Sequence, residues 1–222
     1  MRLLLLFSLS LACFGVLADT HNSATPDWSF VKSQDGITIH QRPHSGGLVE
    51  IRVQMFTPTS YAAFLRLLED SDNVPNWIAN VSHSRVLQQL SPNENIVYTQ
   101  FKAPWPAKDR DMVTYSRYRI DNNAFELIIN DASDRYPPQP GFIRISRVKA
   151  IWLLEKLTNN TTHIEYSAFA DPGGMLPNWL ANKLSVDSAF ETFAALRQQL
   201  PKYQALPHTN INPDELSLKQ QQ

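Results

Sequence analysis

The chain has 222 residues, 43% hydrophobic and 18% charged, which supplies the core of one ordinary globular domain and excludes a disordered chain. A formal net charge of −1 gives no footing for nucleic acid or an anionic membrane as a standing electrostatic partner. The single cysteine, Cys13, rules out an internal disulfide.

Residues 1–18 read MRLLLLFSLSLACFGVLA: a positive start at Arg2, an apolar run over 3–11, and small residues before Ala18. This pattern predicts a secretory signal peptide cut after Ala18, too short in its apolar run for a span of ~20 residues. Export would also remove Cys13. An exported domain without disulfides must rest on its core alone, which fits a bacterial periplasm. Residues 19–27 are a polar lead-in, 28–201 one domain, and 202–222 a polar tail expected to be disordered.

Within the domain, 28–32 and 37–41 predict two short strands joined at Gln34-Asp35-Gly36, a hairpin-turn signal. Residues 48–57 alternate, with Val49, Ile51, Val53 and Met55 on one side and Glu50, Arg52 and Gln54 on the other, as a half-buried strand requires. After Pro58 the period becomes helical over 59–69, capped by Thr59 or Ser60, and a second short helix is expected around Pro75, Trp77 and Ile78. Strands resume at 81–89, 95–103, 110–120, 125–132, 142–157 and 162–170, with short turn-rich links that imply an antiparallel meander. Residues 175–200 then predict the one long unbroken helix, with Pro177 in its first turn, Leu176, Trp179, Leu180, Leu184, Val186, Phe190 and Phe193 apolar, and Pro201 as its stop. Strands, a helix pair, strands and a final helix make an α+β domain, with one amphipathic helix against one sheet.

Several motifs, in this order, resemble the START (steroidogenic acute regulatory-related lipid transfer) domain family. They are Asn76-Trp77-Ile78 before a strand, Ala103-Pro104-Trp105-Pro106 followed by Arg110-Asp111-Met112-Val113, Asp171-Pro172-Gly173-Gly174, and Leu176-Pro177-Asn178-Trp179-Leu180-Ala181-Asn182. The resemblance covers about 28–200. It implies a helix-grip fold, in which a curved antiparallel sheet wraps the C-terminal helix around a tunnel for one apolar ligand, and it implies binding and transfer rather than catalysis. It makes Trp77, Pro104, Arg110 and Asp111 structural. Sterol-carrying relatives place an acid and an arginine inside the tunnel; the matching positions here are His83 and Ser116, so that charge pair is absent.

Candidates for tunnel lining are His83, Phe101, Met112, Tyr115, Phe125, Ile129, Trp152, Phe169, Trp179, Phe190 and Phe193. Large apolar side chains on a half-buried sheet are core as readily as wall, and alternation puts His83 with Val81 and Arg85 on a face that is either pocket or solvent. Trp105, Met175, Leu176 and Trp179 are either a rim for brief contact with a membrane surface or ordinary core. No His-Glu-x-x-His or comparable spacing is present, so neither metal nor cofactor is expected.

The resulting expectation is a monomeric periplasmic binder of a lipid or similar apolar molecule, without nucleic acid. The alternatives are a helix-grip enzyme of cyclase or hydrolase type, using His83 with Tyr98 or Ser116 as acid and base, and an interaction module with a filled core.

Overall fold

The computed structural model describes residues 27–121, 124–205 and 208. The expected signal peptide, the lead-in before Asp27 and the tail from 209 lie outside the described residues.

Ten strands form one curved sheet among the described residues: β1 (Ser29–Gln34), β2 (Ile37–Pro43), β3 (Val49–Thr57), β4 (Val81–Ser91), β5 (Glu94–Phe101), β6 (Arg110–Asp121), β7 (Ala124–Asp131), β8 (Ile143–Arg144), β9 (Ser146–Lys156) and β10 (Thr162–Asp171). The order is β1-β2-β3-β10-β9-β7-β6-β5-β4, antiparallel throughout, with the two-residue β8 lying parallel to the start of β6. Two helices complete the fold: α1 (Tyr61–Glu69) and α2 (Asn178–Gln199). The first three strands and the later meander are joined in the sheet by β10, which pairs with β3 on one side and β9 on the other.

Local chemistry accounts for these elements. Asp35 and Gly36 both have positive φ, the hairpin geometry that the Asp-Gly pair suggests. Ser60 caps α1 by accepting the Ala63 N–H at 3.1 Å. On β3 the inward residues Ile51, Val53 and Met55 are buried, while Glu50 pairs with Arg42 and Arg52 with Glu165 on the other face.

Four expectations are corrected. The strand expected over 142–157 is broken: β8 pairs with β6, and β9 begins only at Ser146, next to Arg147 at φ 56°. The second short helix is a single 3₁₀ turn, Val74–Asn76. Pro177 is the N-cap of α2 rather than a residue of its first turn, while α2 ends at Gln199, just before Pro201 as expected, and Pro201 lies in a 3₁₀ turn, Leu200–Tyr203. The packed chain therefore continues into the expected tail. Tyr203 Oη donates to Asp70 at 2.6 Å and accepts from Asn73 at 2.9 Å, Gln204 Nε2 donates to the Pro58 carbonyl at 2.9 Å, and buried His208 sits 2.9 Å from Glu69. Aromatic burial and a local run of polar partners outweigh the tail's polar composition.

The Arg110-Asp111 pair does not pair with itself. Adjacent strand residues point to opposite faces, so Asp111 turns away from α2 and accepts two hydrogen bonds from Arg144, at 2.8 and 2.9 Å. Arg144 also donates to the carbonyls of Ser133, Tyr136 and Pro137, which fastens the proline-rich 132–142 loop to the start of β6. Removing one member of such a buried pair strands the other charge. Asp111→Ala is therefore expected to cost about 3–5 kcal/mol of stability, measured as a lower urea midpoint at unchanged slope.

Candidate functional site

The interior is solid at one end and hollow at the other. Size tapers along each inward row. β9 carries Leu154, Trp152, Ala150 and Val148; β10 carries Ile164, Tyr166 and Ala168; the facing side of α2 carries Leu196, Phe193, Ala189, Ser185 and Ala181, with Leu200 just past its end. At the bulky end these residues meet α1, with Tyr61, Phe64, Leu67, Phe125, Leu154, Ile164 and Leu196 buried in one cluster. Trp152 and Phe193 form a boundary, their rings 5.4 Å apart and 10° from parallel. Beyond them lies a cavity of ≈ 380 Å³, within the range of small-molecule sites.

Its walls are apolar: Val49 and Ile51 from β3, Ala168 from β10, Ala150 from β9, Ile129 from β7, Met112 from β6 and Phe101 from β5. The polar atoms of α2 that line it are mostly engaged. Thr192 Oγ1 accepts the Ala79 N–H at 3.0 Å, Ser188 Oγ accepts from Asn80 at 2.9 Å, and Ser185 Oγ donates to Ala181 O at 3.0 Å. The start of α2 is tied to the β2–β3 turn: Asn182 accepts the Val49 N–H at 3.1 Å and donates to Gly47 O at 3.1 Å, and Asn178 donates to Gly46 O at 2.7 Å. A Cβ on Gly47, at φ +75°, would be strained and would stand 2.5 Å from the Asn178 amide nitrogen, displacing it from its bond to Gly46 O.

The lining residues that solvent reaches are Lys102 and Pro104 on the 102–109 loop, Asn80, Ala170 and, on α2, Ser185, so the cavity opens on the side where this loop, Pro172 and Leu176 meet the first half of α2. Near that opening Trp105 is 93% exposed, Met175 99% and Trp179 69%. Tyr166 stands in the wall with no hydrogen-bond partner among the described residues, and burial pushes its pKa up to about 12. Arg110, 6% exposed, is also a lining residue; its Nη1 donates to Lys108 O at 2.5 Å and its Nε approaches Pro172 O at 3.5 Å.

Of the residues expected to line a tunnel, Phe101, Met112, Ile129, Trp152, Phe169 and Phe193 do so, joined by Trp77, Pro104 and Arg110 from the motifs. The others do not. Phe125 is fully buried against Tyr61, Phe64 and Tyr118 in the solid end. Tyr115 points to the outer face and donates its hydroxyl to Glu94 at 2.6 Å. Phe190 lies outside the lining, under Lys32 Nζ at 3.6 Å, and Trp179 faces outward. His83 is exposed because the β4–β5 register shifts between Val81 and His83, turning Ser84 inward against cavity-lining Thr99. Strand alternation missed that bulge. The proposed acid–base set is not assembled: Tyr98 lies in the outer cluster beside Tyr136, and Ser116 alternates to the opposite face from Tyr115.

The small residues Ala150, Ala168, Ala181, Ser185, Ser188 and Ala189 were not anticipated as lining. The signal was present in the shared taper of 148–154 and 164–168, where small side chains occupy inward positions next to large ones.

The START domain family model matches residues 8–205. The chain belongs to the START domain family. Its relatives include an uncharacterised protein of Pseudomonas aeruginosa, 26% identical over 202 residues, covering 87% of this chain and 95% of that one. Human phosphatidylcholine transfer protein is 28% identical over 167 residues, covering 72% and 77% of the two chains. Among solved structures, the STAR-related lipid transfer protein of Xanthomonas axonopodis aligns with a TM-score of 0.72 at 30% identity, covering 78% of this chain and 98% of that one. Human STARD10 aligns at 0.70 and 23% identity, covering 79% and 74%, which speaks for the fold. The expected helix-grip architecture is thus present: in this START domain the sheet wraps α2 and the space between them is partly empty.

A hollow and a core respond differently to added bulk. Ala168→Phe, which places a ring in open space, is expected to change unfolding free energy by less than about 1 kcal/mol, whereas Ala63→Phe, on the buried face of α1, should cost at least about 1–3 kcal/mol; chemical denaturation of both variants checks this. Tyr166 offers a second reading. Its pKa rises on folding from 10.0 to about 12, so its contribution is fully present below pH 10 and is lost as pH rises towards 12. Tyr166→Phe should therefore lose less stability than wild type across that window, and match its pH dependence below it, in urea titrations at stepped pH.

Proposed function

We propose that this START domain takes up one apolar ligand, a lipid or a molecule of like character, between α2 and the sheet, and carries it through water. The observation that carries this is the cavity itself, an apolar hollow of ≈ 380 Å³ above the Trp152–Phe193 floor. Moving apolar surface from water into it contributes about 25 cal/mol per Å² buried. Two relatives are named for lipid transfer, which supports the same reading. The setting we propose is the periplasm, from the signal-peptide pattern of 1–18. The role is transport, transfer or sensing rather than catalysis, since the side chains suited to acid–base work stand apart.

Exchange takes place at the open end. The 102–109 loop and the 172–177 linker must part to admit a ligand, and Trp105, Met175 and Trp179 give that end an apolar rim for transient contact with a bilayer.

Native mass spectrometry of protein purified from its natural host should find the domain carrying a lipid-sized mass, and delipidated protein should gain thermal stability on addition of lipid vesicles. A bare polypeptide with no thermal response to any lipid would sink the proposal. The double variant Trp105→Ser, Trp179→Ser should slow transfer between vesicles severalfold while equilibrium loading stays near wild type.

A further inference from the structure

The ionisable side chains that line the cavity are of one sign. Arg110 and Lys102 are cationic, Tyr166 stays neutral, and no Asp or Glu contributes to the wall among the described residues. Lys102 stands at the exposed mouth, where water solvates its charge. Arg110 is different, because the residue is only 6% exposed and the rest of its surface lies against the wall and the neighbouring backbone.

A buried guanidinium ordinarily sits on a carboxylate, as Arg144 does on Asp111. Arg110 has none within ion-pairing distance among the described residues. The neighbouring acids are committed elsewhere. Asp109 accepts the Ala103 N–H at 2.9 Å, Asp111 holds Arg144, and Asp171 accepts the Gly173 N–H at 3.0 Å and faces Arg147 at 3.5 Å. Arg110 meets two main-chain carbonyls, those of Lys108 and Pro172, and its Nη2 has no protein hydrogen-bond partner among the described residues. Of five N–H donors this leaves three unused. Burial accordingly lowers its pKa, with Asp109 offsetting part of the effect. A second donor in the wall is also idle: the indole Nε1 of Trp77 is buried without a hydrogen-bond partner.

Position gives this charge a meaning. Arg110 opens β6 beside Pro104, Pro172 and Leu176, at the mouth, while the apolar depth runs from there to Trp152 and Phe193. A ligand with an apolar chain in the depth and an oxyanion at the mouth would meet both demands. We propose that the ligand of this cavity is an anionic amphiphile, its carboxylate or phosphate bound by the Arg110 guanidinium and its hydrocarbon chain lying on the Trp152–Phe193 floor. This rests on the ligand-binding reading above and narrows it from apolar ligands in general to acids. Arg110 would then be a specificity-determining residue as well as a tether for the 108–110 and 172 backbone. Planar guanidinium geometry suits either oxyanion, by two parallel N–H···O bonds.

Three probes of equal chain length separate charge from chain: hexadecanoate, hexadecyl phosphate and hexadecanol, offered to delipidated full-length protein and followed by displacement of a bound fluorescent dye. Both anions should bind at least about tenfold more tightly than the alcohol, the scale of a charge-assisted hydrogen bond in a dry site. R110Q should bring the three level by weakening the anions, and R110K, which keeps the charge but not the fork, should restore part of the gap. Inorganic phosphate alone should neither compete nor raise the melting temperature; if it stabilises as well as hexadecyl phosphate does, the site is one for a soluble anion and the proposal fails. Hexadecanol binding as tightly as the anions to wild-type protein would overturn it without recourse to any variant. Equal weakening of all three by R110Q would also overturn it, reducing Arg110 to a loop tether. Binding of none of the three would instead sink the ligand-binding reading on which this one stands.

Discussion

The stacking of Trp152 on Phe193 is the contact on which the rest of this domain depends. It joins the middle of the sheet to the middle of α2 and divides one interior into two with different tasks. Below it Phe64, Phe125, Leu154, Ile164 and Leu196 pack without remaining exposure, or nearly so, as in any small domain. Above it the same strands and helix continue with alanine, serine and valine at inward positions, so the elements remain parallel companions while their side chains no longer meet. The solid half holds the fold together, which frees the other half to stay hollow. A cavity in a core forfeits dispersion contacts and is tolerated only where the remaining packing is sufficient.

Hydrogen bonds replace some of the packing that the hollow half gives up. α2 is held over the cavity by Asn178 and Asn182 at its start, and by Ser188 and Thr192 along its side. Most of these contacts join the helix to a turn or loop, and the one to a strand meets only its first residue, Val49. Such contacts, partly solvated, open at lower free-energy cost than an interdigitated apolar interface. The segments lining the mouth, 102–109 and 172–177, share this character, and Gly173 and Gly174, both at positive φ, lie between the last strand and the helix. The fold thus pairs a rigid base with an end whose attachments are polar, local and few.

Charge distribution follows the same division. On the outer face, acids and bases pair across strands: Arg42 with Glu50, Arg52 with Glu165, Arg119 with Glu126. The near-neutral total therefore conceals a cavity whose ionisable wall groups are cationic. Alternation along β6 creates the contrast in two residues, sending Asp111 outward to Arg144 and Arg110 inward to carbonyls alone.

Period and turn chemistry by themselves determined the element order, the inward face of β3, the capping of α1 and the single long C-terminal helix. These depend on neighbours within a few residues, which a linear pattern records. The motif order likewise announced the family, and the aromatic candidates Phe101, Trp152 and Phe193 lie along the cavity. Tertiary structure alone decided which large residues face a void and which fill it: Phe125 and Phe193 are both buried aromatics, and only the elements opposite them tell the two apart. It alone placed the register shift that turned His83 outward, because a bulge is settled by pairing with β5 and leaves period-two alternation nothing to detect. It alone also separated Arg110 from Asp111. A strand pattern lists charges along one line, whereas whether a buried charge has a partner depends on what the folded chain brings beside it.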